Sequence, residues 1–142
     1  MFGMEGVTIM AHGKVFIIDD EDDNLAYLTE IITAAGYQVE AFSDGSEAVT
    51  KMQVESPEMV FLDVQMPHMN GFQVLNAIRK IDNIAKVPVV LLSAISAVTG
   101  DDYDPETIQA RYGVRPDAFV SKPIRTETVR EQLAKFVAHK LP

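Results

Sequence analysis

The sequence predicts an α/β domain: a doubly wound (βα)5 unit with a parallel five-stranded sheet and helices on both faces. Two observations point there. Short β-rich apolar runs alternate with segments of helical periodicity along a chain of 142 residues, and parallel strands need crossover connections that cover the sheet faces. The fourth run, "VPVVLLS" (87–93), is almost continuously apolar, as a strand covered on both sides must be.

The elements follow in order from residue 14. "KVFIID" (14–19) is the first strand, and Leu25, Leu28, Ile32 and Ala35 then recur at helical spacing until Gly36 stops the helix. "QVEAF" (38–42) is the second strand. Ala48, Val49 and Met52 mark a short helix that ends before Pro57, because the residue before a proline is pushed out of the helical region. "MVFLD" (59–63) is the third strand, and Val74, Leu75, Ile78 and Ile81 give the third helix. After the fourth strand, Asp104-Pro105-Glu106 reads as an N-cap, a proline at the first helical position and an acidic first turn, so a helix is expected over about 105–112. "DAFVSK" (117–122) is the fifth strand, and Val129, Leu133, Phe136 and Val137 make the last helix amphipathic. Residues 1–13 read as a partly ordered extension and 14–142 as one domain.

Composition narrows the chemistry. With 47% hydrophobic and 23% charged residues the chain can build a core. It has no Cys, which excludes disulfides, thiolate nucleophiles and Cys-based zinc sites. No apolar run approaches a membrane span of ~20 residues, and the start lacks the pattern of a signal peptide. A formal net charge of −9 disfavours non-specific nucleic-acid binding and favours cations or basic partner surfaces, with solubility alone as the plainer explanation.

Polar residues gather at the carboxyl ends of the expected strands: Asp19 and Asp20, followed by Glu21, after the first; Asp63 at the third; Ser93 at the fourth; Lys122 at the fifth. In an open parallel sheet, that edge holds the ligand site. Three close carboxylates repel, and one must take up a proton unless a cation neutralises them. Mg²⁺ suits such a set, since it takes one or two carboxylates and often phosphate oxygens. With the Lys122 ammonium and the Ser93 hydroxyl, the set fits a phosphoryl group attacked in line by a carboxylate. Each residue also has a plain structural explanation. Asp19 and Asp20 could cap the first helix, Asp63 the following turn, Ser93 could be a satisfied strand-end hydroxyl, and Lys122 an exposed charge. His12, His68 and His139 share no metal-ligand spacing and read as solvated, and the Met residues of "MPHMNG" read as packing.

"VFIIDDEDDN", "VFLDVQMPHMNGF", "PVVLLSA" and "AFVSKP", in that order, resemble the receiver domain of two-component response regulators over about residues 14–140. The D-x-x-M-P-x-M-x-G loop and the K-P after the fifth strand are the most specific marks. The resemblance implies a flavodoxin-like fold with strand order 2-1-3-4-5. It implies Asp63 as phosphoacceptor, served by a histidine kinase or phosphotransfer domain. It implies Mg²⁺, with Mn²⁺ able to substitute, held by Asp20 and Asp63, by Asp19 through water, and by the backbone carbonyl of Gln65. Ser93 would bond the phosphoryl oxygens, Lys122 would pair with Asp63 and then with the phosphoryl group, and Phe119 would be the aromatic switch. The Lys122–Pro123 bond is expected cis. The implied output is an altered surface on helix four, strand five and helix five, read by an unknown downstream protein in the cytoplasm, with a phosphorylation-dependent dimer as one form. The chain would catalyse its own phosphorylation and dephosphorylation without being a turnover enzyme.

One stretch departs from the family pattern. Ser93 and Lys122 lie 29 residues apart, several more than is common, and the added stretch carries Asp101, Asp102, Asp104 and Glu106, with Arg111 and Arg115 beyond. A solvated longer loop is expected there ahead of a docking element. Gln65 and Ile95 stand where family members vary in phosphoryl lifetime. After Lys122 only 20 residues remain, enough for one helix, so the chain is expected to be a stand-alone receiver or one excised from a longer regulator. Two other classes compete. A haloacid dehalogenase-type phosphohydrolase would carry its nucleophile in a D-x-D pattern on the first strand and a substrate cap. A flavodoxin-like cofactor binder would carry a first loop rich in Gly, Ser and Thr, where "DDEDDN" stands instead.

Overall fold

The computed structural model describes residues 13–94 and 105–137. Most of the N-terminal extension, His12, His139, Ile95, Asp101, Asp102 and the Asp104 cap lie outside the described residues. Within them the chain runs β1 (Lys14–Ile18), α1 (Asp22–Ala34), β2 (Gln38–Phe42), α2 (Gly45–Met52), β3 (Met59–Asp63), α3 (Gly71–Arg79), a 3₁₀ turn (Asp82–Ile84), β4 (Val89–Ser93), α4 (Pro105–Tyr112), β5 (Ala118–Ser121) and α5 (Thr126–Phe136). All strand pairings are parallel, in the order β2-β1-β3-β4-β5. The doubly wound fold with strand order 2-1-3-4-5 is therefore the one adopted.

Side chains alternate across the sheet with period two. Phe16, Ile18, Val60, Leu62, Val89 and Leu91 pack with Ala48, Met52, Val74, Leu75, Ile78 and Ile108 on the α2–α3–α4 side. Val15, Ile17, Met59, Phe61, Val90 and Leu92 pack with Leu28, Ile31, Ile32, Val129 and Leu133 on the α1–α5 side. β3 and β4 are buried at every residue, which accounts for the unbroken apolar run of the fourth strand. Each fully buried large side chain stabilises the fold by about 1.5–3 kcal/mol, and two such layers hold a sheet that no disulfide can brace.

β4 begins at Val89, two residues later than the apolar run. The Val87 amide donates to Ile84 in the preceding turn at 3.1 Å, and Pro88 has no amide to give. Lys122 and Asp117 each add one ladder bond beyond β5, at 2.9 Å to Ser93 and 2.8 Å to Val89. Gly36, just past the Ala35 cap of α1, has a φ of 101°, which is cheap only without a Cβ. α4 occupies the expected residues, with Ile108 buried and the Tyr112 ring stacked on Phe72 at 3.9 Å. The Lys122–Pro123 bond is cis.

At the amino edge of the sheet, Arg79 acts as a clamp. Its guanidinium donates to Val87 O at 2.7 Å and Arg115 O at 3.1 Å, and pairs with Asp117 at 2.9 Å. The same Asp117 oxygen accepts the Val89 amide at 2.8 Å. The clamp joins the end of α3, the start of β4 and the entry to β5. No helix among the described residues is long and apolar enough to cross a membrane.

Candidate metal and phosphoryl site

Because all five strands run the same way, their carboxyl ends meet at one edge. The structure brings Asp19, Asp20, Asp63, Ser93 and Lys122 to that edge. Asp19, Asp63 and Ser93 are the buried polar residues among those described, at 0%, 2% and 0% exposure. Burying carboxylates is costly unless something compensates them, so a purely incidental placement of two is unfavourable.

Lys122 supplies part of the compensation. Its Nζ lies 3.0 Å from Asp63 Oδ1 and 3.3 Å from Asp19 Oδ2, so it is not the freely exposed strand-end charge of the plainer explanation. Burial works against its charge, but the Asp63 and Asp19 carboxylates outweigh that and raise its pKa. The compensation is incomplete. Asp63 Oδ1 is buried without a well-formed hydrogen bond; its contact with Lys122 is ionic, at a poor bonding angle. Burial raises the Asp63 carboxyl to about 6, and Asp19 adds to the rise, while Lys122 and the Gln65 backbone amide oppose it.

One oxygen from each of Asp19, Asp20 and Asp63 lies within 4.8 Å of the others. Asp20 is exposed and the other two are buried, so the set opens to solvent on one side. Three carboxylates against one ammonium leave an excess of negative charge that a divalent, oxygen-preferring cation offsets. The donor set and the under-bonded Asp63 oxygen therefore fit Mg²⁺.

The loop after β3 is shaped to hold Asp63. Gly71 opens α3 directly against the strand end, and a Cβ there would stand 2.5 Å from Asp63 O and 2.7 Å from Val64 Cα. Its amide donates to Val64 O at 2.9 Å. Asn70 and Gln73 close a capping box on α3, a pattern legible as N-x-x-Q but missed in the sequence reading. His68 is exposed at a φ of 68°, and Met66 and Met69 pack on the core. Gln65 is exposed on the same loop. Phe119 is half-buried against the α2–α3–α4 side, opposite Leu91 in the ladder.

The helix-cap explanation for Asp19 and Asp20 does not hold. Glu21 is the N-cap of α1, with no side-chain capping bond. Asp19 Oδ1 accepts the Glu21 amide at 2.9 Å, and Asn24 Nδ2 lies 3.2 Å from Asp19 Oδ2. Asn24 was not singled out from the sequence, where one amide in an acidic run carries no signal.

The sequence profile of the response regulator receiver domain matches residues 15–134. The chain belongs to the response regulator receiver domain family. It is 32% identical over 127 residues to hybrid signal transduction histidine kinase L of Dictyostelium discoideum, covering 87% of this chain and 7% of that protein. It is 38% identical over 85 residues to the transcriptional regulatory protein PrrA of Mycobacterium tuberculosis, covering 60% of this chain and 36% of that one. It thus spans only a fraction of the length of these relatives. Among solved structures, the chemotaxis response regulator CheY4 of Vibrio cholerae superposes with a TM-score of 0.75 at 29% identity, over 89% of this chain and 98% of that one. The receiver domain of the sensor histidine kinase PA1611 of Pseudomonas aeruginosa, solved with a magnesium ion coordinated in its active-site cleft, shares the fold at 19% identity and a TM-score of 0.75, over 89% of this chain and 98% of that one.

Proposed function

We propose that this chain is a phosphorylation switch that accepts a phosphoryl group on Asp63 from a phosphohistidine of a histidine kinase or phosphotransfer domain. The observation that carries the reading is the buried, under-bonded Asp63 carboxylate with Lys122 Nζ at 3.0 Å and Asp19 and Asp20 oxygens close by. An Asp63 oxygen attacks phosphorus, a P–O bond forms as the donor's P–N bond breaks, and the imidazole leaves with the electron pair. Lys122 turns from Asp63 to a phosphoryl oxygen, and the Ser93 hydroxyl donates to another. Asp20 and Asp63, Asp19 through water, and the Gln65 carbonyl would hold Mg²⁺, which neutralises charge on the transferring oxygens; Mn²⁺ would serve in its place.

Phosphorylation adds close to two negative charges. Ser93 and the chain after it are drawn toward them, Phe119 turns inward, and the α4–β5–α5 surface changes its balance of states. A downstream protein, or a second copy of the chain, reads that surface. The chain acts in the cytoplasm and catalyses its own phosphorylation and dephosphorylation without turning over a separate substrate. The hybrid kinase and the transcriptional regulator among its relatives support a kinase as donor and leave the output open.

The test is intact-mass spectrometry after incubation with acetyl phosphate, with and without Mg²⁺, on wild type and Asp63→Asn. One Mg²⁺-dependent phosphoryl adduct, absent from the variant, is expected. A variant labelled at full stoichiometry overturns the assignment of Asp63.

A further inference from the structure

Asp19 is fully buried, and each of its oxygens is engaged. Oδ1 accepts the Glu21 amide at 2.9 Å. Oδ2 has two donors, Lys122 Nζ at 3.3 Å and Asn24 Nδ2 at 3.2 Å. Asn24 Nδ2 also lies 2.8 Å from Glu21 Oε1. A carboxamide nitrogen has two hydrogens, so both carboxylates are served at once. The opposite amide orientation would put its oxygen against two carboxylate oxygens, so the chemistry fixes which way the group faces.

We infer that Asn24 is a positioning residue for the cation site: it anchors Asp19 in the orientation that Mg²⁺ binding requires and keeps it satisfied when Lys122 turns away. Without Asn24, Lys122 is the remaining donor to Asp19 Oδ2 among the described residues, and its departure to a phosphoryl group would leave this buried acceptor with no protein donor among them, which is costly. Asn24 also binds Glu21 beside Asp19, so the acidic run "DDEDD" (19–23) can stand at the site with one repulsive contact bridged by a donor. Partners of this kind, one bond removed from the metal, commonly change affinity by 10- to 100-fold when lost.

The inference rests on the reading of Asp19, Asp20 and Asp63 as a Mg²⁺ site, and the experiment separates the two. Mg²⁺ is titrated into wild type, Asn24→Leu and Asn24→Gln, with affinity read from amide NMR shifts and metal-free stability from urea unfolding. Asn24→Leu keeps the volume without the donors and is expected to bind Mg²⁺ roughly tenfold more weakly with metal-free stability little changed. Asn24→Gln, which keeps the amide, is expected to recover part of the affinity. Wild-type affinity in Asn24→Leu overturns the role of Asn24 alone. So does a loss that merely follows a fall in metal-free stability. Absence of Mg²⁺ binding by the wild type overturns the cation site and this inference together.

Discussion

Replacing Asp63 by Asn should make the metal-free protein more stable at neutral pH, although it removes the residue on which the proposed function depends. The folded Asp63 carboxyl sits at about 6, against an ordinary value of 3.8. Its ionised form is thus disfavoured in the folded state. The sign follows: no penalty exists well below 3.8, it grows as pH rises between the two values, and it is complete above 6. A difference of about two units corresponds to roughly 3 kcal/mol at pH 7.5 and to about half a kcal/mol at pH 4. Asn carries no ionisation, so Asp63→Asn should gain about 1–3 kcal/mol at pH 7.5, the lower figure allowing for imperfect contacts of the amide with Lys122. The assay is urea unfolding of both proteins in EDTA at pH 7.5, 6 and 4. The gain should shrink steadily toward acid, and saturating Mg²⁺ at pH 7.5 should narrow it by stabilising the wild type. Equal stability at pH 7.5, or a gain that persists unchanged at pH 4, refutes the view that Asp63 is held against a burial penalty.

The same electrostatics predict that Lys122→Met raises the Asp63 carboxyl further, because the nearby Lys122 ammonium holds it down; a ¹³C titration of the Asp side chains in the metal-free protein reads this directly, and an unchanged Asp63 midpoint contradicts it. Gly71→Ala should cost about 1–3 kcal/mol in urea unfolding, the range for forcing an atom into packed space, since its Cβ would meet backbone at 2.5 Å and 2.7 Å rather than a side chain that can move; a loss below ~0.5 kcal/mol would show that the loop gives way.

Much of this architecture was legible because its determinants are local in the chain. Short β-rich apolar runs placed the five strands, helical spacing placed four helices, the Asp104-Pro105-Glu106 signal placed the helix over about 105–112, and the strand-end positions of Asp63, Ser93 and Lys122 pointed to one edge of the sheet. The strand order came from the family resemblance, since patterning alone fixes faces and not neighbours. What stayed hidden depends on contacts made only after folding. Arg79 and Asp117 are ordinary surface charges in sequence, and their pairing exists only because α3 ends beside the entry to β5. Asn24 looks like one more polar residue of an acidic helix start until α1 turns it back onto Asp19. Phe72 and Tyr112 stack although they stand 40 positions apart in the sequence. Gly71 could be read as a turn glycine, but not as one pressed against the carbonyl of the site aspartate.

The Arg79 clamp bears on how this chain can change in length. It pins Arg115 and Asp117 to α3 and to the first residue of β4, so the polypeptide re-enters the sheet in the same register whatever number of residues precedes α4. A change in chain length before α4 can therefore arise during descent without shifting Asp117 or the pairing of β4 with β5.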